Sequence, residues 1–286
     1  MPRQKIDLHR KVRDVLQNII KLPPQATCPI RHYEKSMNIG SSLIKYIADH
    51  IEPDDIYESV YDRHMGHLQR MVLAELLESF ERFLKELASV CVDFLAPYAI
   101  DDRFDEFKLR RGEQIAAFVH GASIGRALCE SDTWLNNETI NKRFRTLLKD
   151  PFDSEWELLF PGPNQQPVAE RERAATLAIL WQIRHTLAHN VGVITQSDAM
   201  KFRMLMKTAV GADQQLFPSQ NDLRYIKRFL SETATHINKR VGQRLAKLTE
   251  SFYDSDPDLF DLQTKADELS RSLSFPITLG QQVGIV

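Results

Sequence analysis

The 286-residue chain predicts an all-α fold, and three observations support that prediction. Glycine (11 residues) and proline (13 residues) are scarce, so the chain has few turn-forming residues for its length. Apolar residues recur at three- and four-residue steps over long stretches, which is the period of a helix with one buried face. The composition, 43% hydrophobic and 27% charged, is that of a globular protein, and the chain is long enough to bury a sizeable core.

The strongest helical periodicity lies in residues 55–96 and predicts a core helix of a bundle. Pro53, Asp54 and Asp55 offer a helix start with acidic residues where the helix dipole favours them, and Pro97 ends the helix. Gly66 marks a bend near its start. The apolar stripe consists of Leu68, Val72, Leu76, Phe80, Phe83, Leu87, Val90 and Phe94.

Further helices are predicted on both sides of this segment. Proline and glycine cluster in residues 150–168, which we expect to form a loop. Asn136 or Asn137 can cap the helix that precedes this loop, and Thr195 or Ser197 can cap a later helix. The predicted spans are 3–21, 34–50, 111–130, 137–149, 169–189, from the Thr195 or Ser197 cap to about Val210, and 221–253.

These elements divide into an N-terminal helical extension (1–53), a helical domain (54–253) and a C-terminal acidic appendage (254–286). The basic residues of the first helix form either a solvated face or an arm that binds phosphate or a partner. The acidic tail is expected to dock on the body or on a partner, and it ends in an extended stretch, Phe275–Val286. The basic residues of the first helix are Arg3, Lys5, Arg10, Lys11, Arg13 and Lys21.

Charge, cysteine usage and hydropathy exclude several classes of protein. The formal net charge is −2, so any contact with RNA must be local, because the chain has no global basic footprint. Cys28, Cys91 and Cys129 are far apart and lack the spacing of a zinc site, so reduced thiols in a cytoplasmic protein are expected. The N-terminus lacks the apolar core of a secretory signal, and no apolar run of membrane-spanning length occurs. No cofactor is predicted.

The residues with chemical potential are Arg184, His185 and His189, in the last two turns of a predicted helix. Cationic side chains at this position also favour the helix dipole, so a purely structural role is one interpretation. His185 and His189 share a helix face at i and i+4 and could bind a metal. Thr186 follows the first histidine, however, so the HExxH pattern of zinc proteases is absent, and no third ligand lies nearby in sequence.

The same residues suit the cleavage of RNA by its own 2′-hydroxyl. That reaction needs a base, an acid that protonates the leaving 5′-oxygen, and a cation beside the phosphorane oxygens. Histidine performs the proton transfers near neutral pH, and the planar guanidinium of arginine matches a phosphate. The RNA supplies the nucleophile, so the reaction needs no metal. One histidine cannot easily serve as both base and acid, and a homodimer would provide two sets.

The segment Leu180–Ile194, which contains Arg184-His185-Thr186-Leu187-Ala188-His189 and then Asn190-Val191-Gly192, resembles the signature of HEPN domains. In that signature an arginine is followed by a polar residue and, after four to six residues, by a histidine. The stretch Leu68–Leu87 resembles the long first core helix of the same fold. The resemblance covers about residues 55–253, and the N-terminal extension and the acidic tail lie outside it.

The resemblance implies an up-and-down helical bundle that forms homodimers and cleaves RNA in toxin–antitoxin or antiviral defence systems, with an antitoxin or other regulatory partner. It implies that Arg184 contacts the scissile phosphate, that His189 is the general acid/base, and that His185 orients the motif or joins the phosphate contacts. Two other interpretations stay open: a non-catalytic HEPN-like module for dimerisation, nucleotide sensing or partner binding, and an unrelated helical protein. Asn190, Arg110 and Arg111 are further candidates for substrate contacts.

Two basic patches could also guide RNA, although a solvated helix face explains each of them as well. The first comprises Lys108, Arg110 and Arg111. The second comprises Lys239, Arg240, Arg244 and Lys247. Both Arg184 and His189 are expected at an exposed helix end, where substitution leaves the fold intact.

Overall fold

The computed structural model describes residues 28–50, 58–98, 102–104, 123–130, 134, 136–148, 168–255 and 261–279. Within these ranges the all-α prediction is confirmed. The only β-type pairing in them is an isolated bridge between Val193 and Gln215. The predicted helix 3–21, the loop 150–167 and most of the predicted helix 111–130 lie outside the described residues.

Most of the described helices agree closely with the segments predicted from periodicity, whereas the helix Leu262–Leu273 has no predicted counterpart. Their bounds are α1 Pro29–His50, α2 Glu58–Leu95, a 3-10 turn Asp102–Phe104, α3 Ile124–Glu130, α4 Asn137–Leu147, α5 Val168–Asn190, α6 Gln196–Met206, α7 Gln220–Ser255 and α8 Leu262–Leu273. Asn136 caps α4 by accepting a hydrogen bond from the Glu138 backbone N–H at 2.8 Å. Thr195 caps α6 with a capping box.

Two predicted boundaries are wrong by about one turn. Helix α1 begins at Pro29 rather than residue 34, because proline is favoured in the first helical turn and Ile30 and Tyr33 are already buried. Helix α6 ends at Met206 rather than near Val210, because Lys207 takes up the left-handed conformation (φ 55°). Gly66 lies inside the continuous helix α2 and faces the ring of Phe217.

Helix α2 is the centre of the core, as its periodicity predicts. It packs against α1, α3, α5, α7 and α8. Aromatic rings of α2 pack against rings of two neighbouring helices. The ring centroids of Phe83 and Tyr33 of α1 are 5.3 Å apart, and those of Phe80 and Trp181 of α5 are 5.8 Å apart. Each fully buried large side chain of this kind contributes roughly 2 kcal/mol relative to leaving it in water. The fully buried side chains of α2 include Leu77, Phe80, Leu84 and Leu87.

The acidic C-terminal segment contributes to this core through α8. Leu262, Ala266, Leu269 and Leu273 are buried in the same apolar cluster as the helices of the body. The Asn238 side chain of α7 donates to the Leu273 carbonyl at 2.7 Å. The Phe275 ring lies against Gly242, where a Cβ would come within 2.6 Å of it. Asp267 and Glu268 are exposed on the other side of α8, which is therefore an amphipathic helix packed onto the bundle.

The structure also bears on membrane insertion. Across the described ranges, every helix is either too short or too polar to cross a bilayer.

Candidate active site at the end of α5

The end of α5 is held in place by apolar packing and by two hydrogen bonds with Asn137 of α4. Leu177, Leu180 and Trp181 are buried against the core, as the helical periodicity predicts. The indole N–H of Trp181 donates to the Asn137 side chain at 3.0 Å, and Asn137 donates in turn to the Ala174 carbonyl at 2.7 Å. The helix therefore presents its last two turns as a rigid element.

The helix ends at Asn190, one residue beyond the predicted end at His189. The next two residues are left-handed, Val191 with φ 51° and Gly192 with φ 83°. The Gly192 N–H donates to the Thr186 carbonyl at 3.1 Å, which folds the chain back over the last turn of the helix. The Arg70 side chain of α2 lies beside this turn, so that a Cβ on Gly192 would be 3.4 Å from its Cδ.

Arg184 points toward α2 and contacts a buried carboxylate there. Its Nη2 lies 3.4 Å from Oε2 of Glu81, whose side chain is 9% exposed. The other carboxylate oxygen of Glu81 lies 3.1 Å from Nζ of Lys85. The Arg184 side chain is only 21% exposed, so its expected position at an exposed helix end is wrong. It precedes the helix end by almost two turns, and its face of α5 turns toward the core.

The guanidinium of Arg184 is incompletely satisfied. Its one ion-pair contact is long for a charge-assisted hydrogen bond, and its buried Nε has no hydrogen-bond acceptor among the described residues. A buried donor without a partner is uncommon and points to a strained or functional position. The unpaired Nε is itself buried, so a further anionic oxygen would approach through the exposed 21% of the side chain.

His185 and His189 lie together on the exposed side of the same turns. Both side chains are exposed, and their ring centroids are 4.6 Å apart with 48° between the planes. The i, i+4 spacing predicts this proximity. In the part of the chain that the structure describes, no three His, Cys, Asp or Glu side chains are grouped so as to hold a metal ion.

A buried carboxylate, Asp198 of α6, lies beneath the histidine side of the helix end. It accepts hydrogen bonds from the side chains of Gln182 and Asn190, each at 2.8 Å. Burial alone would raise the pKa of Asp198. The hydrogen bonds from Thr195 and Asn190, together with the nearby charge of His185, outweigh burial and hold this pKa below its ordinary value. Asp198 is therefore a fixed negative charge that ties α6 to α5.

The remaining candidates are distributed as follows. Asn190 uses its side-chain N–H in the Asp198 network, and Arg110 and Arg111 lie outside the described residues. Arg244 is only 2% exposed, and its Nε donates to the Leu148 carbonyl at 2.9 Å. The expectation that Arg244 belongs to a solvated basic patch with Lys239 is therefore wrong.

Sequence reasoning missed three residues that shape the site: Glu81, Asp198 and Arg70. Two of them carry a signal that could have found them. Glu81 is an acidic residue within the most apolar helix and has Lys85 at i+4. Asp198 stands three residues after Thr195, which is the spacing of a capping box. Nothing in the local sequence indicates that Arg70 contacts the turn after α5.

The chain was compared with known protein families, curated proteins and solved structures. No protein-family model, no curated protein and no solved structure matches the chain.

Proposed function

We propose that this protein is a metal-independent endoribonuclease of the HEPN type that cleaves RNA through attack of the 2′-hydroxyl. The observation that carries the proposal is the placement of Arg184, His185 and His189 on one helix end. The arginine is held from one side with unused hydrogen-bonding capacity, while both histidines are open to solvent. An RNA strand bound across this helix end would meet groups suited to proton transfer and, on the adjoining face, a cation suited to phosphate stabilisation.

In the proposed reaction a histidine accepts the proton of the 2′-hydroxyl, and the 2′-oxygen forms a bond to phosphorus. Arg184 stabilises the negative charge on the non-bridging oxygens. The bond from phosphorus to the 5′-oxygen breaks, and that oxygen takes a proton from a second histidine. The products are a 2′,3′-cyclic phosphate and a 5′-hydroxyl. His189 is the principal acid/base, and His185 orients the motif or joins the phosphate contacts.

The proposal includes a homodimer, because a second copy would supply the second acid/base at the same cleft. It also includes a cytoplasmic role in toxin or antiviral defence, with an antitoxin or another regulatory protein as partner. These parts rest on the resemblance of Leu180–Ile194 to the HEPN signature.

The test is cleavage of RNA by purified protein in EDTA, with analysis of the product ends. His189→Ala should lower the rate by roughly 10²- to 10⁴-fold, the usual contribution of a general acid/base. His64→Ala is the matched control, because His64 is an exposed histidine on α2 and has no proposed role. Equal cleavage by the parent and by His189→Ala would disprove the catalytic assignment.

A non-catalytic module is the second candidate, and one observation favours it. Arg184 already has a carboxylate partner, Glu81, as expected if its role is to join α5 to α2. This alternative predicts that neither the parent protein nor His189→Ala cleaves RNA. It further predicts that a partner or nucleotide binds the helix end without turnover.

A further inference from the structure

A groove between α1, α2 and α7 has the features of a second site. Its volume is about 260 Å³. The floor is apolar and rigid, since Ile44, Val72 and Leu223 are each no more than 5% exposed. Polar side chains of α1 and α7 form its walls. A cavity with an apolar floor and a few convergent polar groups is the usual form of a small-ligand site, although this one is smaller than most.

The polar walls are positively charged. Lys45, Arg224 and Lys227 all line the groove, and no acidic residue lines it in the part of the chain that the structure describes. Lys45 and Arg224 are exposed and form no hydrogen bond or ion pair with any described residue. Glu75 lies beside the groove, where its carboxylate is next to Gly40. Two cationic side chains are thus free to engage a ligand.

The third cation is fixed in place between the two helices. Nζ of Lys227 donates to the Asn38 side chain at 2.8 Å and to the Ser41 hydroxyl at 2.9 Å. Burial lowers the pKa of Lys227, because its charge is partly removed from water with no carboxylate in contact. The groove also adjoins the first turn of α7, which begins at Gln220, where the Asp222 carboxylate caps the helix with Ser219 and offsets the helix dipole.

We propose that this groove binds the phosphoryl group of a nucleotide, either as a free mononucleotide or within an RNA strand. Three cations and the neighbouring hydroxyls match the charge and the acceptor oxygens of a phosphate. The small volume suits a single tetrahedral anion whose nucleoside extends into solvent.

The groove is distinct from the end of α5. Val72 lies on its floor and Glu81 contacts Arg184, and these two residues are nine positions apart on α2. At about 100° per residue they point to opposite sides of that helix. The phosphoryl site therefore does not depend on the ribonuclease proposal.

The test compares the double variant Lys45→Ala/Arg224→Ala with the charge-matched control Arg228→Ala/Arg271→Ala. The control residues are exposed, on α7 and α8 respectively, and do not line the groove. AMP binding is measured by calorimetry. Binding of single-stranded RNA with 2′-O-methyl sugars is measured by fluorescence anisotropy at several salt concentrations. Neither probe can be cleaved by 2′-hydroxyl attack, so the result is independent of any ribonuclease activity.

The groove variant should bind at least one probe about tenfold or more weakly than the parent, while the control variant binds like the parent. If RNA is the ligand, the slope of log affinity against log salt should become shallower by about one. Loss of AMP binding alone identifies a free nucleotide as the ligand, and loss of RNA binding alone identifies a phosphate of the strand. Equal binding by both variants, or no binding of either probe by the parent protein, overturns the proposal.

A change of opposite sign provides a second check. Glu75→Gln removes a negative charge beside the groove and should tighten binding of the same probe. Weaker binding by Glu75→Gln would contradict an anion site.

Discussion

The two sides of the last turns of α5 differ in the burial and the contacts of their cationic side chains. On the side that faces α2, Arg184 is largely buried and contacts the carboxylate of Glu81. On the side that faces solvent, His185 and His189 are exposed and their ring centroids lie 4.6 Å apart. Residues that are adjacent in sequence therefore experience different environments, because successive helical positions point about 100° apart.

Because of this difference, substitutions within one motif should have different effects: those at the exposed histidines affect the reaction, and those at Arg184 also affect stability. Substituting an exposed histidine removes little packing, so a loss of function at His189 would report on the reaction itself. Substituting Arg184 leaves a buried carboxylate with one partner fewer, so it affects stability as well. Unfolding measurements on variants of both sides can therefore test the comparison without any assay of activity.

The largest effect on stability is expected for Arg184→Ala. Breaking a fully buried pair typically costs 3–5 kcal/mol, but this contact is long and Glu81 retains Lys85, so about 2 kcal/mol is expected. His189→Ala should change the free energy of unfolding by less than about 0.5 kcal/mol, as is usual for exposed positions. Urea denaturation of both variants measures the two values.

The control for Arg184→Ala adds the substitution Glu81→Gln, which removes the negative charge of the carboxylate that has lost its arginine partner. The double variant should be more stable than Arg184→Ala alone if the buried carboxylate causes the loss. Equal stability of Arg184→Ala and His189→Ala would show that the two sides do not differ in the way the contacts indicate.

The next largest effect is expected at Asp198, which supports the histidine side from beneath. Asp198→Asn replaces one acceptor oxygen by an amide that cannot accept from Gln182 or Asn190, which should cost about 1–2 kcal/mol at neutral pH. The pKa of Asp198 is lowered in the folded state, so its ionised form stabilises the protein above the unfolded pKa of about 3.9. That contribution is lost as the pH falls through the lowered folded value.

The difference in unfolding free energy between the parent and Asp198→Asn should therefore be largest near pH 7 and shrink on the acid side of about pH 4. Urea titrations at several pH values measure this difference. Asp62→Asn, at an exposed position of α2, is the control and should show little change at any pH. A difference for Asp198→Asn that stays constant with pH would contradict the role of its ionised form.

Periodicity predicted most of the fold because burial acts on whole helix faces. The stripe from Val72 to Phe94 identified α2 as the core helix, and the residues after Asn190 identified the end of α5. The acidic composition of the segment after residue 254 predicts an appendage outside the helical domain. Leu262 and Ala266 of this segment are four residues apart and both lie in the core, so α8 packs on the body. This spacing is hard to recognise in the sequence because charged residues surround it.

The site could be predicted only where its residues are close in sequence. The i, i+4 spacing brings His185 and His189 together, and the structure shows both exposed. The partner of Arg184 is 103 positions away on another helix, and only the packing of α5 on α2 brings Glu81 to it. The basic groove likewise combines α1 and α7, which are distant in sequence, so no local pattern indicates it.

The smallest expected effect concerns the turn that presents His189 to solvent. Val191 is a β-branched residue with φ 51° and is 78% exposed, so its side chain adds little packing to offset the strain of the left-handed conformation. Val191→Gly removes that strain but adds freedom to the unfolded chain, for a net stabilisation of about 0.5 kcal/mol. Gly192→Ala should destabilise by about 1 kcal/mol, because φ is 83° and a residue with a Cβ is strained in that conformation. Thermal unfolding of the two variants should therefore shift the midpoint in opposite directions. A lower midpoint for Val191→Gly would mean that the valine side chain stabilises this turn by a contact that its exposure does not reveal.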